Sequence, residues 1–160
     1  MATLNGWRFD VPQLDQPDLP VGLQVNPSGG IDTVSDDAAI RQSLLLLLST
    51  RPGERVMRPT YGCDLDRLVF SPNDDTTAGL AMHLVQQAVA RWEPRIDVLR
   101  VNAGRVEVSA LAQTADLDTA SDGLPDYSSQ LAIVLDYRVR ATGRTAQIVI
   151  PLDLASGGQP

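Results

Sequence analysis

The most regular pattern along the chain is helical. In DAAIRQSLLLLLST, residues 37–50, Ile40, Leu44, Leu47 and Leu48 share one face, and Leu45 and Leu46 widen it. The spacing predicts a mostly buried helix. Ser35 is placed to cap it, Asp36 and Asp37 suit its positive N-terminal end, and Pro52-Gly53 stops it. A second helix begins after SPNDD. It puts Ala81, Leu84, Val85, Ala88, Val89 and Trp92 at the i, i+3, i+4, i+7, i+8, i+11 positions of one apolar face. His83, Gln86, Gln87 and Arg91 lie off that face, so His83 reads as a solvated histidine. Glu93-Pro94 ends the helix, because the residue before proline resists helical geometry.

Elsewhere the period is two. ERVMRP, residues 54–59, reads as a short strand closed by Pro59. IDVLRVN, a turn at Ala103-Gly104 and RVEVSALA read as a hairpin. QLAIVLDYRVRA alternates at Leu131, Ile133, Leu135, Tyr137 and Val139. A Thr142-Gly143 turn then leads into TAQIVIPLDL, which alternates at Ala146, Ile148, Ile150 and Leu152. The order predicts an α+β fold: two helices packed on one face of a mainly antiparallel sheet of about four to five strands.

At 160 residues the chain is long enough for one domain with its own core. Residues 1–30, with Pro12, Pro17, Pro20, Pro27 and Gly29-Gly30, read as an extended N-terminal arm that orders on binding. Residues 31–154 form the domain, with a polar, turn-rich acidic loop at 113–129. Residues 155–160 form a flexible tail.

Charge sharpens this division. The formal net charge is −7; residues 1–40 carry a net −5 and residues 113–129 a net −4, so the excess acid sits in these two segments. No surplus of positive charge exists to neutralise phosphates, which argues against nucleic acid as a partner. All 13 basic residues are arginine, a side chain favoured at ion pairs and interfaces. One cysteine, Cys63, rules out an internal disulfide. With His83 as the lone histidine, a Cys/His zinc site is excluded, and no cofactor is expected. The N-terminus lacks a signal-peptide pattern. The run Leu44 to Leu48 is far too short to insert in a membrane, so the chain is expected to fold in a cytoplasm.

Catalytic signals are weak. Glu54, Asp64, Asp66 and Glu93 could supply paired carboxylates, but aromatic residues to line a sugar cleft are few. No G-x-S-x-G elbow or phosphate-binding glycine loop occurs. Cys63, beside a glycine in a turn, reads as a packing residue. What stands out instead are two arginine-rich turns. RPGERVMRPTYG contains Arg51, Pro52, Gly53, Glu54, Arg55, Arg58, Tyr61 and Gly62, and RWEPR contains Glu93, Pro94 and Arg95. The glutamates are placed to accept forked arginine hydrogen bonds and brace loops without a core of their own. The same planar donors are suited to face another protein.

These residues resemble the gene-25-like baseplate wedge family of contractile phage tails, with relatives in type VI secretion and extracellular contractile injection systems. The likeness rests on Ile40, the run LLLLLST, Arg51 to Arg55, Met57, Arg58, Tyr61, Gly62, Leu65 and Leu68 to Phe70. Glu93-Pro94-Arg95 in RWEPRID then matches the family's Glu-Pro-Arg signature. It covers roughly residues 30–152. The resemblance implies a structural, non-enzymatic part of a baseplate, made in the bacterial cytoplasm and present in sixfold copies. The implied partners are wedge proteins, the sheath protein and spike, hub or tube proteins.

On this reading Arg51 to Arg58 brace an elbow, and Glu93, Pro94 and Arg95 help dock the wedge. The last hairpin offers its edge to a sheath strand. Arg138, Arg140 and Arg144 on that hairpin either meet an acidic partner or guard an ordinary strand against aggregation. Two other readings stand beside it: a lysozyme-like cell-wall hydrolase of the tail tip, and a free regulatory adaptor.

Overall fold

The computed structural model describes residues 5–10, 22–105 and 130–155. The expected strand over 106–112, the acidic loop at 113–129 and the tail beyond Ala155 lie outside the described residues, as does 11–21 of the arm. Four short strands come first: β1 (Asn5–Trp7), β2 (Phe9–Asp10), β3 (Gly22–Leu23) and β4 (Thr33–Ser35). They form two antiparallel pairs, β1 with β4 and β2 with β3. The Gln42 side chain ties the first pair to the helix that follows. Its amide donates to the Trp7 carbonyl (2.8 Å) and accepts from the Phe9 N–H (2.9 Å).

Helix α1 (Asp36–Ser49) buries Ile40, Leu44, Leu47 and Leu48, the face its periodicity predicts. Ser35 stands at the N-cap, but its side chain makes no capping bond. Helix α2 (Asp75–Trp92) is capped by Asp74, whose carboxylate accepts the Thr77 N–H at 2.8 Å. It buries Ala81, Val85, Ala88 and Val89, with Leu84 and Trp92 partly buried and His83 on the solvent side. α2 lies on the sheet, chiefly on its first strand, and α1 packs against α2.

The main sheet is antiparallel, in the order β5 (Ile96–Arg105), β6 (Gln130–Val139), β7 (Thr145–Asp153). The inner face of β6, Leu131, Ile133, Leu135, Tyr137 and Val139, is almost wholly buried. The α+β class and the helix-on-sheet layering match the sequence reading. Two strand assignments do not. Residues 54–59 form exposed turns instead of a strand: among the described residues no strand lies beside them to satisfy the backbone. Ala103-Gly104 is no turn either. Both residues continue β5, opposite Ile133 and Ala132.

β5 also carries a bulge. Its register against β6 slips between Val98 and Arg100, leaving Leu99 52% exposed. The inward positions switch from Ile96 and Val98 to Val101 and Ala103. The bulge thus keeps an apolar face inward despite a phase change in the sequence.

Candidate functional site

The chain leaves α1 through a tight turn that one glycine makes possible. Gly62 has φ +126° and presses against the Thr50–Arg51 peptide. A Cβ there would fall on the Thr50 carbonyl oxygen and within 2.9 Å of the Arg51 carbonyl carbon. The neighbouring Cys63 N–H donates to that same Thr50 carbonyl (2.9 Å), closing the base of the 51–62 loop. Within the loop Glu54 accepts the Arg51 backbone N–H at 2.9 Å, and the Arg51 guanidinium pairs with Asp66. The brace therefore runs through the Glu54 carboxylate to the backbone, and through Arg51 to Asp66 in the 3-10 segment Leu65–Leu68. Gly53, at φ +92°, supplies the turn that Pro52-Gly53 predicts.

The second arginine-rich turn lies against the first. Glu93 is 4% exposed, and both of its carboxylate oxygens accept from Arg95, one from Nε and one from Nη2. Arg95 Nη2 also donates to Ser43 Oγ (3.1 Å) on α1. These charge-assisted bonds from Glu93 raise the Arg95 pKa further and fix the guanidinium across the end of α2. The Arg140 N–H donates to the Arg95 carbonyl (3.0 Å), which joins this turn to the end of β6.

Tyr61 from the first turn meets Trp92 edge-on, with centroids 5.3 Å apart, and Arg55 stacks over the Tyr61 ring at 4.7 Å. Burial is the main cause of the raised Tyr61 pKa, opposed by the nearby Arg55. The result is one cleft of about 350 Å³, walled by Arg55, Arg58 and Tyr61 on one side and by Trp92, Glu93, Pro94 and Arg95 on the other. Arg95 alone engages the buried Glu93 carboxylate, while the Arg55 and Arg58 guanidinium groups line the same cleft without pairing to it. This suits capture of a carboxylate-bearing, apolar surface. With both Glu93 oxygens engaged, it is poorly arranged for proton transfer.

The structure thus brings Arg55, Arg58, Tyr61, Glu93, Pro94 and Arg95 together, and sets Arg51, Pro52, Gly53, Glu54 and Gly62 beneath them. Arg138, Arg140 and Arg144 are elsewhere. Arg138 and Arg140 both bond Asp97 (3.3 and 2.8 Å), and Arg144 reaches Asp37 at 3.5 Å. Asp97 is held below the ordinary carboxylate range, first by Arg138 and then by Arg140. Ser43, Asp66, Asp97 and Asp37 escaped the sequence reading as partners. Their only sequence signal was a carboxylate or hydroxyl side chain, which carries no pairing information. Cys63 is buried as a packing residue, and its thiol is pushed up to about 12, first by burial and then by Asp64.

The described residues thus form a small α+β domain with an arginine–aromatic cleft, and among them β7 is an edge strand of the main sheet. Comparison with known proteins identifies its relatives. Residues 34–144 match the family model of baseplate wedge protein gp25. The chain is 41% identical over 64 residues to baseplate wedge protein gp25 of Enterobacteria phage T4, covering 40% of this chain and 48% of that one. It spans about half the length of that relative. It is 35% identical over 83 residues to baseplate protein W of Escherichia phage P2, covering 52% of this chain and 71% of that protein. A crystal structure from Geobacter sulfurreducens, provisionally named a tail lysozyme, superposes with a TM-score of 0.59 at 34% identity, covering 76% of this chain and 94% of that one. The chain belongs to the gp25 family of baseplate wedge proteins, structural components of phage tail-like contractile particles. Among the described residues no helix is long and apolar enough to cross a membrane.

Proposed function

We propose that this chain joins the wedge proteins around the central spike and tube to the first ring of the sheath, in sixfold copies. It templates the sheath by lending the edge of β7 to a sheath strand. The cleft around Arg95 docks the neighbouring wedge proteins.

One observation carries the sheath half of this reading. Among the described residues β7 is the last strand of its sheet. The Val139 N–H donates to the Arg144 carbonyl (2.8 Å), and the β6–β7 register runs on from there. Antiparallel alternation then turns the backbone groups of Thr145, Gln147, Val149 and Asp153 away from β6. Pro151 falls on the same outward side, where its missing N–H breaks no bond within the sheet and ends the usable edge. A partner strand would therefore pair with residues 145–149.

Val149→Pro removes one of the three outward N–H groups of the usable edge, those of Thr145, Gln147 and Val149. The expected result is a folded chain that still co-purifies with wedge proteins but gives particles without sheath, while Val149→Thr behaves normally. Full-length sheath on Val149→Pro particles would sink the proposal. The provisional name of the Geobacter neighbour keeps a hydrolase reading in view, but the engagement of Glu93 by Arg95 argues against it. Release of peptidoglycan fragments by the purified chain, lost in Glu93→Gln, would reverse that judgement.

A further inference from the structure

The tip of the 51–60 loop exposes Val56 and Met57 at 90% and 92%, the largest apolar exposures among the described residues. Met57 has φ +68°, a left-handed conformation that is uncommon for a residue other than glycine, asparagine or aspartate. Such strain persists where the surrounding structure imposes it. Here the loop is held from within. The Arg58 N–H donates to the Arg55 carbonyl (3.2 Å), the Tyr61 N–H to the Arg58 carbonyl (3.1 Å), and the base is closed at Cys63 and Thr50. The tip is therefore presented in one shape, which lowers the ordering cost of a contact made through it.

Its charge is the reverse of the chain's. Residues 51–60 carry Arg51, Arg55 and Arg58 against Glu54, while the whole chain is at −7. Arg55 is stacked on Tyr61, and the Arg58 side chain makes no hydrogen bond or ion pair among the described residues. A loop whose only task is to brace α1 needs neither two bare apolar side chains nor a spare guanidinium beside them.

We propose that residues 55–58 form a plug that enters an apolar pocket rimmed by carboxylates on a neighbouring wedge protein. Val56 and Met57 fill the pocket, the flexible thioether adapting to its shape. Arg55 and Arg58 take the rim carboxylates, and the aromatic wall of the cleft covers the approach. A second copy of this chain across a twofold axis would set arginine against arginine; the charge favours a different wedge protein as the occupant, and a copy in head-to-tail contact is an outcome the crosslink distinguishes. This rests on the baseplate reading and assigns that contact to a specific element.

The test places a benzophenone amino acid at Met57 in the full chain, crosslinks assembled particles and identifies the joined peptide. The expected product is an apolar segment flanked by Asp or Glu in another baseplate protein. Arg58→Glu should then cut incorporation of the chain into particles about tenfold or more. Reversing the crosslinked carboxylate to arginine should restore it, and Met57→Ser and Arg58→Glu should leave the melting temperature of the free chain unchanged. A crosslink only to this chain or to lipid, normal incorporation of Arg58→Glu, or a large fall in melting temperature would each overturn the plug. If wild-type particles contain the chain and lose sheath with Val149→Pro, a failed crosslink sinks the plug alone. If no particle contains the chain, the baseplate reading falls with it.

Discussion

The two arginine clusters of this protein differ in what their charges already have to do. Around the cleft, Arg95 takes the buried Glu93, Arg55 stacks on Tyr61, and Arg58 lines the same cleft with no ion pair among the described residues. On the last hairpin, Arg138 and Arg140 share Asp97, and Arg144 reaches Asp37 across to α1. From sequence both clusters look like surplus positive charge in an acidic chain. In the fold the first keeps its surplus in a cleft walled by Tyr61, Trp92 and Pro94. The second is largely committed to the molecule's own acids on an exposed face, where ion pairs contribute little. Availability, more than count, is what distinguishes the two clusters.

Substitutions test how far the two clusters differ, and the elbow beneath the cleft should respond most strongly. Gly62→Val should cost about 3 kcal/mol or more, because it adds a collision to a backbone conformation that valine avoids. Urea unfolding of the purified chain measures it, and a cost under about 1 kcal/mol would mean the elbow yields more easily than its geometry suggests.

Glu93→Ala comes next. Removing one partner of a fully buried ion pair costs roughly 3–5 kcal/mol; Arg95 is one-third exposed, so about 2 kcal/mol is expected here. The same variant and Arg95→Ala should fail to enter baseplates. Normal assembly of both at normal yield would remove the cleft from the docking interface and leave it a brace.

The smallest effect belongs to the hairpin. Arg138→Ala with Arg140→Ala should barely move the melting temperature at neutral pH. Asp97 is depressed in the folded state, so any contribution of these pairs is present above the ordinary carboxylate range and fades as pH falls through the lowered value. The double variant should therefore unfold at a less pH-dependent urea concentration between about pH 5 and pH 2 than the parent. An unchanged acid profile would show that Asp97 is held by something else. A loss of sheath without a loss of wedge proteins would restore the hairpin arginines to a partner-facing role.

Local patterns and long-range pairing account for what could be read from the chain by itself. Helical faces repeat every 3.6 residues within one segment, so the buried sets of α1 and α2 follow from spacing alone. The start at Asp74 and the stop at Pro94 are equally local. The alternation of β6 named its inward residues correctly for the same reason. Strand pairing is different, since it depends on partners far away in sequence. Residues 54–59 have strand-like composition but no neighbour, and they became a loop tip. Gly104 looks like a turn residue, yet β6 was there to pair with it. The bulge at Leu99 was latent in the phase change from Ile96 and Val98 to Val101 and Ala103, which a two-residue period cannot accommodate.

The sequence by itself determined the helices, the α+β class, the inward side of the long strands and, through two motifs taken together, the baseplate family. Tertiary structure alone decided that Tyr61 and Trp92 meet, that Arg95 spans from Glu93 to Ser43, and that the hairpin arginines are spoken for by Asp97 and Asp37. Each of those outcomes joins residues that are distant in the chain or on different elements. Their separation is set by how α1, α2 and the sheet pack, and no local spacing encodes that distance.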